Sequence, residues 1–494
     1  MVETAALLRG GPEPRRMPSI LILAARLARR GLLPVLACAL LAAPAAAHTK
    51  IQSTQPANGD TVASVLAEVR VRFSTAVAPG LTRIELRQGG RTVLTGGVPV
   101  PGEGSREYVL QLAQPLAPGA YEAQWTTAGA DGHVLRGTFG FVVAAPATSP
   151  TPSGPLLTEA AEDSARVDST LAAGVPGDPD AVGTTTSAAA SPLSVAVRWG
   201  WFAALLAMIG VVAFRFGVLG RLAREEAFRP VAARAEAGAW TIALGAASLS
   251  MLTLAGRLWL QASALGMRTE DWSGEQLTAL VTGTVWGLGW LLQAIATCAF
   301  VMGMLIARAP HGRTAGWMGA AGSVVLLAAV PSLSGHAAGV ERLTALAIVA
   351  DALHVLAAGA WIGSLLMVLA IGSPATLGTT AQGYSSVAML VRAFSPMALI
   401  AGAVVGATGV VSALLHIGAV GNLWGTGYGR ALLLKVALLT LVGATGFYNW
   451  RRVLPGLGSD DEGTRRLQRS ARVELAIAAA VLLVTAVLVA LPTP

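Results

Sequence analysis

Repeated apolar runs of about twenty residues occupy the second half of the chain and restrict what it can fold into. Eight such runs lie between residues 193 and 491, separated by polar or charged segments. A run of this length crosses a bilayer as an α-helix, because a helix satisfies its own backbone hydrogen bonds in lipid. The chain is 54% hydrophobic and only 13% charged, whereas soluble domains carry roughly 25% charged residues. We therefore predict an all-α polytopic membrane bundle of about eight helices over residues 193–494.

Arginines in the segments between these runs orient the bundle. If the residues before the first run are exported, the four inside loops hold thirteen arginines and the three outside loops hold Arg268, Arg342 and Arg430. An excess of basic residues in cytoplasmic loops is the usual topological signal. We predict that both ends of the mature chain face outward. The formal net charge of +8 then reflects membrane topology and not nucleic-acid binding.

Residues 1–47 have the three parts of a secretory signal peptide. A basic stretch ends at Arg29-Arg30, an apolar core follows from Gly31 to Ala43, and Ala45-Ala46-Ala47 forms a small-residue cleavage site. Cleavage there would make His48 the first residue of the mature protein. The paired arginines leave both the general secretory and the twin-arginine export routes open.

Residues 48–143 alternate polar and apolar side chains in the manner of half-buried strands. The clearest alternation covers residues 69–73, 83–86, 108–112, 121–125 and 137–142, with turn sequences such as Gly89-Gly90 between them. Short strands with such turns predict an all-β, immunoglobulin-like sandwich. The segment contains no cysteine, so no disulfide can support its core. Residues 144–192 are rich in Pro, Ser, Thr, Ala and Gly and are predicted to form a flexible linker.

His48 and the Asp131-Gly132-His133 run are candidate metal ligands of this sandwich. A mature N-terminal histidine offers its α-amine and its imidazole, and Asp131 and His133 add a carboxylate and a second imidazole. Asp131 and His133 flank one residue, so in an extended segment both side chains can point the same way. Three nitrogens and a carboxylate suit a tetragonal Cu(II) centre. An Asp-Gly-His sequence is otherwise an ordinary turn, but its combination with the cleavage site favours the metal site.

Ionisable residues within or beside the apolar runs form a second candidate metal site. The predicted topology puts His336, Asp351, His354 and His416 toward the outer side of the membrane. Asp351 and His354 are three residues apart and share one helix face. Intramembrane ionisable groups are rare and usually functional. Hydrogen bonding between helices, or placement at the interface, explains His336 and His416 individually as readily as metal ligation does.

Three further features of the apolar runs have both an ordinary and a functional explanation. Lys435 either pairs with a carboxylate or extends to the membrane surface. Glu474 opens the last run, where an acid is an ordinary helix cap. Methionines could carry Cu(I), although most methionines in apolar helices only pack; the candidates are Met251, Met302, Met304, Met367 and Met397.

Particular stretches of the chain resemble two copper-resistance families. The resemblance to the periplasmic copper carrier CopC rests on His48, the turn 56–59, the strand 69–74 and residues 130–139. The resemblance to the membrane protein CopD rests on residues 333–337, 351–363, 427–435 and 472–474. Together they are similar to CopC–CopD fusions of the YcnJ type. CopC proteins of the original type also hold Cu(I) in a methionine-rich segment. Residues 48–143 lack methionine, which predicts a sandwich specific for Cu(II).

These observations predict a non-enzymatic copper-handling protein of the bacterial inner membrane, with copper ions and the lipid bilayer as its partners. The exported domain would bind Cu(II), and the membrane domain would move copper, of a valence that the sequence leaves open, across the membrane and inward. The sequence has no nucleotide-binding loop, so transport would be passive or gradient-coupled. Two alternatives stay open. One is a haem-bearing electron carrier that reduces copper, with membrane histidines as iron ligands, and the other is a non-transporting copper buffer or sensor.

Overall fold

The computed structural model describes residues 49–62, 66–100, 104–145, 191–267, 272, 274–333, 344–372, 381–453, 461–491 and 494. The predicted signal peptide, most of the predicted linker, His48 and His336 lie outside these residues.

The first described region is an all-β domain, as its alternating sequence predicts. Its strands are β1 (Ile51–Gln55), β2 (Thr61–Val62), β3 (Glu68–Phe73), β4 (Arg83–Gln88), β5 (Arg91–Gly96), β6 (Val98–Pro99), β7 (Glu107–Gln111), β8 (Gly119–Ala128) and β9 (Val134–Val143). All five sequence segments with clear alternation coincide with strands, except that Leu112 lies one residue beyond β7. β5, which the alternation does not single out, is an edge strand with mostly exposed side chains.

The strands form two sheets that enclose one core. One sheet has the order β1-β3-β7-β6 and the other β2-β9-β8-β4-β5, with β2 parallel to β9 and the remaining pairs antiparallel. Phe73 of the first sheet packs edge-on against Trp125 of the second, with ring centroids 5.4 Å apart. Every second residue of β9 is buried, so the period-two pattern in the sequence becomes the inner face of a sandwich.

The second described region is helical throughout. Its helices are α1 (Pro192–Ala213), α2 (Arg229–Ala264), α3 (Gly274–Thr282), α4 (Val285–Arg308), α5 (Arg313–Leu333), α6 (Thr344–Ala358), α7 (Ala381–His416), α8 (Asn422–Gly425), α9 (Gly427–Tyr448) and α10 (Asp461–Leu488). Within the described residues, eight helical segments are long and apolar enough to cross a membrane. This number agrees with the prediction, and the protein is a multi-pass membrane protein.

Glycine allows a close helix crossing in the bundle. A methyl group on Gly363 would overlap the Leu206 carbonyl oxygen, and one on Gly210 would overlap the backbone of Gly363. α1 therefore packs directly on the π-helical turn Gly359–Gly363 that follows α6. In contrast, α7 and α9 are the least buried of the eight described spans, since only 11% and 6% of the most apolar stretch of each is buried. The bundle is thus tightly packed around α1, whereas α7 and α9 are largely exposed.

The sandwich rests on the C-terminal end of α2, on α3 and on the N-terminal end of α4. The backbone N–H of Val285 donates to the Ala130 carbonyl at 3.0 Å, and Gln261 Nε2 donates to the Gly132 carbonyl at 2.6 Å. Arg136 donates to the carbonyl of Ala264. Apolar side chains surround these bonds, namely Ala78, Leu81 and Ala128 of the sandwich and Ala262, Leu265, Met267 and Leu280 of the bundle. The loop between β8 and β9 therefore faces the membrane bundle.

Candidate metal centre

The loop from Gly129 to His133, here called the Asp-Gly-His loop, joins β8 to β9. Gly132 N–H donates to the Gly129 carbonyl at 2.8 Å, and Gly132 has a φ of +86°, which suits glycine at this turn. The turn brings the two predicted ligands together. The backbone N–H of His133 donates to Asp131 Oδ1 at 2.9 Å, and His133 Nδ1 lies 2.9 Å from Asp131 Oδ2.

The contact between Asp131 and His133 determines which imidazole nitrogen is available. A carboxylate only accepts hydrogen bonds, so His133 Nδ1 carries the proton and Nε2 keeps its lone pair. The hydrogen bond that His133 donates to Asp131 also raises the pKa of His133, an effect that partial burial opposes. This carboxylate–histidine pair is the usual way in which proteins orient an imidazole toward a metal. Direct ligation by Asp131 stays a prediction.

The chain enters the sandwich beside this loop. The hydroxyl oxygens of Thr49 and Thr75 are 2.6 Å apart. A Cβ added to Gly129 would lie 2.7 Å from Asp131 Oδ1 and 3.4 Å from Thr49 Oγ1. Thr49, the residue that follows His48 in the sequence, is thus a neighbour of Asp131.

A cavity of about 1740 Å³ extends from the Asp-Gly-His loop into the bundle. Asp131 and His133 of the loop line it, and so do Asp351 and His354 of α6 and His416 of α7. We call these last three residues the outer cluster, after the outer position that the sequence predicts for them. Helices α1, α2, α6, α7, α9 and α10 all contribute residues to the lining of this membrane cavity.

His354 and its neighbours in the outer cluster have defined hydrogen-bond roles. Ser332 Oγ donates to Asp351 Oδ2 at 2.8 Å. His354 Nδ1 lies 3.0 Å from Thr408 Oγ1, and that hydroxyl donates to the Val404 carbonyl at 2.6 Å. Thr408 has one hydroxyl proton, so its oxygen accepts from His354. The lone pair of His354 is therefore on Nε2.

His416 is held in the same tautomer by a different partner. Its Nδ1 lies 2.7 Å from the carbonyl oxygen of Ser412, and a carbonyl only accepts. Its Nε2 is buried and has no hydrogen-bond partner. Lys435 and Tyr428 line the same part of the cavity. Asp351 lines this cavity too, and its charge attracts that of Lys435.

The outer cluster is not assembled as a metal site in this structure. No group of three or more His, Cys, Asp or Glu side chains in the described part of the chain is close enough together to hold a metal ion. His336, the fourth predicted membrane ligand, lies outside that part. Asp351, His354 and His416 therefore share a cavity, each with its own hydrogen-bond partner.

Glu474 differs from its sequence interpretation. α10 begins at Asp461, so Glu474 lies thirteen residues inside the helix and cannot cap it. Its side chain is 4% exposed and accepts a hydrogen bond from Asn449 Nδ2 at 2.6 Å, while Asn449 Oδ1 is buried without a partner. Both residues line the same cavity, and we call them the inner pair, after the cytoplasmic side to which the predicted topology assigns them. Sequence reasoning missed Asn449, although an amide within an apolar run is a detectable signal.

The five candidate methionines lie away from this cavity. Met304 and Met367 are fully buried in the packed part of the bundle, and Met302 is exposed on its outside. Among the described residues, no methionine or cysteine lines the cavity. The methionines therefore pack or face lipid, and the cavity's polar lining is nitrogen and oxygen.

The fold and its polar residues define a class of protein, a histidine-bearing β-sandwich seated on a multi-pass membrane bundle. Comparison with protein families makes the class specific. Residues 51–144 match the CopC domain, residues 188–344 match the copper resistance protein D-like N-terminal domain, and residues 388–488 match copper resistance protein D. The chain thus carries matches to the CopC and CopD family models in one polypeptide, as its sequence resemblance predicts.

Individual proteins are also similar to this chain or to its first domain. The chain is 25% identical over 456 residues to the copper transport protein CutJ of Bacillus subtilis, covering 91% of this chain and 75% of the relative. CopC from Methylosinus trichosporium is 29% identical, with 19% of this chain and 93% of that chain covered and a TM-score of 0.19. The methionine-rich copper resistance protein PcoC from Escherichia coli is 22% identical, with 20% and 100% covered and a TM-score of 0.19.

Proposed function

We propose that this protein captures Cu(II) outside the membrane and passes copper inward through the membrane cavity. His48, through its amine and imidazole, would join His133 and Asp131 in the capture site. Copper would then move to the outer cluster and leave past the inner pair. In this proposal the domains are a signal peptide (1–47), the sandwich (48–143), a linker (144–192) and the membrane domain (193–494), with the sandwich in the periplasm.

One observation carries this proposal. The Asp-Gly-His loop, the outer cluster and the inner pair all line one cavity, and the proposed topology puts these three groups in that order from outside to inside. Ions pass through membrane proteins when several weak sites follow one another along a polar path. The three groups of polar side chains along this cavity fit that arrangement.

The position of the sandwich supports direct transfer. Hydrogen bonds to Ala130 and Gly132 hold the Asp-Gly-His loop over the bundle, so copper would not need the linker to carry it to the membrane. The neighbouring position of Thr49 supports a capture site that includes His48. The linker would then tether the sandwich without delivering the ion.

The chemistry of the cavity bears on the valence of copper. His354 and His416 each keep the lone pair of Nε2, and Asp351 adds a carboxylate. Imidazole and carboxylate ligands suit Cu(II), whereas sulfur ligands favour Cu(I). Because the polar lining holds nitrogen and oxygen, we propose that copper crosses without prior reduction.

The decisive experiment measures copper uptake by proteoliposomes that contain the full-length protein. His354→Ala should reduce inward copper flux at least ~10-fold, because it removes a ligand from the path. The matched control is His311→Ala, since His311 is an exposed histidine outside the cavity. Both variants should keep the Cu(II) spectrum of the sandwich. Equal flux in both variants would remove His354 from the path.

The same preparation separates the two alternative functions. Bound copper without net flux in the unsubstituted protein would support a buffer or sensor. An optical spectrum with a Soret band that shifts on reduction would support a haem-bearing reductase, with membrane histidines as iron ligands. Flux together with a weak d–d band and no Soret band would support transport.

A further inference from the structure

Two arginines lie at the outer end of the membrane cavity, directly beneath the sandwich. Arg198 is on α1 and Arg257 is on α2, and both line the cavity. The two helices touch at this level, where a Cβ on Gly256 would lie 3.2 Å from Val197 Cγ2. Arg198 is six residues beyond Pro192, roughly 9 Å along the helix. Both charges therefore lie within membrane-spanning helices, toward the ends of α1 and α2 that are nearest the sandwich.

A buried polar network holds Arg257 in place. Its guanidinium donates to Gln293 Oε1, and the fully buried Gln293 donates from Nε2 to the Ser250 carbonyl at 3.3 Å. The hydroxyls of Ser250 and Thr297 are 3.0 Å apart and complete the network. The Trp286 ring centroid lies 5.8 Å from Arg257 Cζ. Arg257 is thus fixed toward the cavity and does not extend freely to the membrane surface.

Arg198 lacks a partner for one of its donors. Its Nη1 is buried without a hydrogen bond, and across the described residues neither arginine forms an ion pair with a carboxylate. The two guanidinium groups repel each other electrostatically. Arginine stays charged at any physiological pH, and unpaired charges inside a membrane span are costly. An anion bound to both arginines would compensate their positive charge.

We propose that Arg198 and Arg257 form a binding site for a phosphate group at the outer end of the cavity. Guanidinium forks match the geometry of phosphate oxygens and form charge-assisted hydrogen bonds with them. The group could belong to an anionic lipid whose headgroup enters from the membrane interface, or to free phosphate. Both sources present the same chemistry to the two arginines.

The position of this site connects it with the Asp-Gly-His loop. Gln261, one helical turn from Arg257, donates to the Gly132 carbonyl. Trp286, beside Arg257, leaves no space for a Cβ at Gly132. A bound phosphate group would neutralise positive charge that otherwise opposes copper beneath the loop. This consequence for copper rests on the proposed function, whereas the anion site itself does not.

The test uses the full-length protein, delipidated in detergent, with inorganic phosphate as the first probe and ³¹P NMR as the readout. The second probe is nanodisc lipid, phosphatidylglycerol compared with phosphatidylcholine, with retained lipid measured by native mass spectrometry. We expect about one phosphate group bound per chain, weakened at least ~10-fold by Arg198→Gln and by Arg257→Gln. Arg257→Lys keeps the charge but loses the fork, and should bind about 3-fold to 10-fold more weakly.

The matched control is Arg224→Gln, which removes an exposed arginine distant from the cavity. Saturable binding of free phosphate supports a free-phosphate site, and selective retention of phosphatidylglycerol supports a lipid site, provided that both Gln variants lose it. Binding of neither probe overturns the proposal. Equal binding in Arg198→Gln, Arg257→Gln and Arg224→Gln also overturns it. An unchanged Cu(II) spectrum and monodisperse elution verify that each variant is folded, and Arg257→Lys provides the comparison if a Gln variant aggregates.

Discussion

The Asp-Gly-His loop and the outer cluster hold similar side chains in opposite ways. In the loop, Asp131 and His133 bond to each other, and the His133 side chain is 57% exposed. In the cavity, Asp351, His354 and His416 bond to Ser332, Thr408 and Ser412 respectively and stay apart. A preorganised pair suits tight capture, whereas separate groups along a path suit brief binding and release. The comparison therefore separates a capture site from a transit path.

The largest effect should come from displacing the N-terminal ligand of the capture site. Adding one alanine before His48 in the exported protein removes the α-amine from the chelate, although every side chain stays. We expect the affinity for Cu(II) to fall more than ~100-fold, with loss of the d–d band, in a competition titration of the full-length protein. One alanine added after Pro494 is the control. An unchanged spectrum would show that His48 does not chelate through its amine.

Asp131→Asn tests whether the loop is preorganised by its carboxylate. The asparagine keeps the size of the side chain but orients His133 less firmly, so Cu(II) affinity at pH 8 should fall about 10-fold to 100-fold. Because Asp131 raises the pKa of His133, the substitution should also lower that pKa in the copper-free protein. A histidine NMR titration measures this shift.

The sign of this pH effect follows from the raised pKa of His133. A proton competes with copper for the imidazole, so the Cu(II) affinity of the native protein should start to weaken as the pH falls through that raised pKa. In the Asp131→Asn variant, affinity is weaker at high pH, and its decline with falling pH should start at a lower pH. Without copper, the ion pair favours the fold below the unfolded histidine pKa of about 6.5, and this contribution is lost as the pH rises through the folded pKa. Equal release profiles for both proteins would contradict the role of Asp131.

The sequence predicts the fold better than it predicts the cavity. Period-two alternation and apolar runs are local signals, so the sandwich and the eight spans follow from them. The pairing of Asp131 with His133 is also local, because one residue separates them. His354 and Thr408, in contrast, are 54 positions apart, and their contact depends on how two helices pack. The prediction that Glu474 caps a helix is wrong, because an apolar run does not define where its helix begins. α10 starts thirteen residues before Glu474.

Glu474→Gln tests whether the proposed transit path can be impaired without affecting the capture site. The amide preserves the volume but removes the charge at the inner pair, so inward copper flux should fall about 10-fold while Cu(II) capture is unchanged. Glu226→Gln is the matched control, since the Glu226 side chain is 92% exposed in the segment before α2. Flux would be measured in proteoliposomes. Weaker Cu(II) capture in Glu474→Gln would mean that the two regions are not separate.

The smallest effect should come from substituting Gly363, which lies at a tight contact between helices of the bundle and not in the sandwich. Gly363→Ala places a methyl group against the Leu206 carbonyl of α1, and backbone has little freedom to move aside. Overpacking of this kind destabilises a protein by about 1–3 kcal/mol, which should lower the midpoint of thermal unfolding of the bundle. Gly406→Ala, on α7 with open space around its Cβ, is the control. The Cu(II) spectrum of the Gly363→Ala variant should stay unchanged. The geometry of the proposed capture site depends on the contact between Asp131 and His133, and not on how the helices pack.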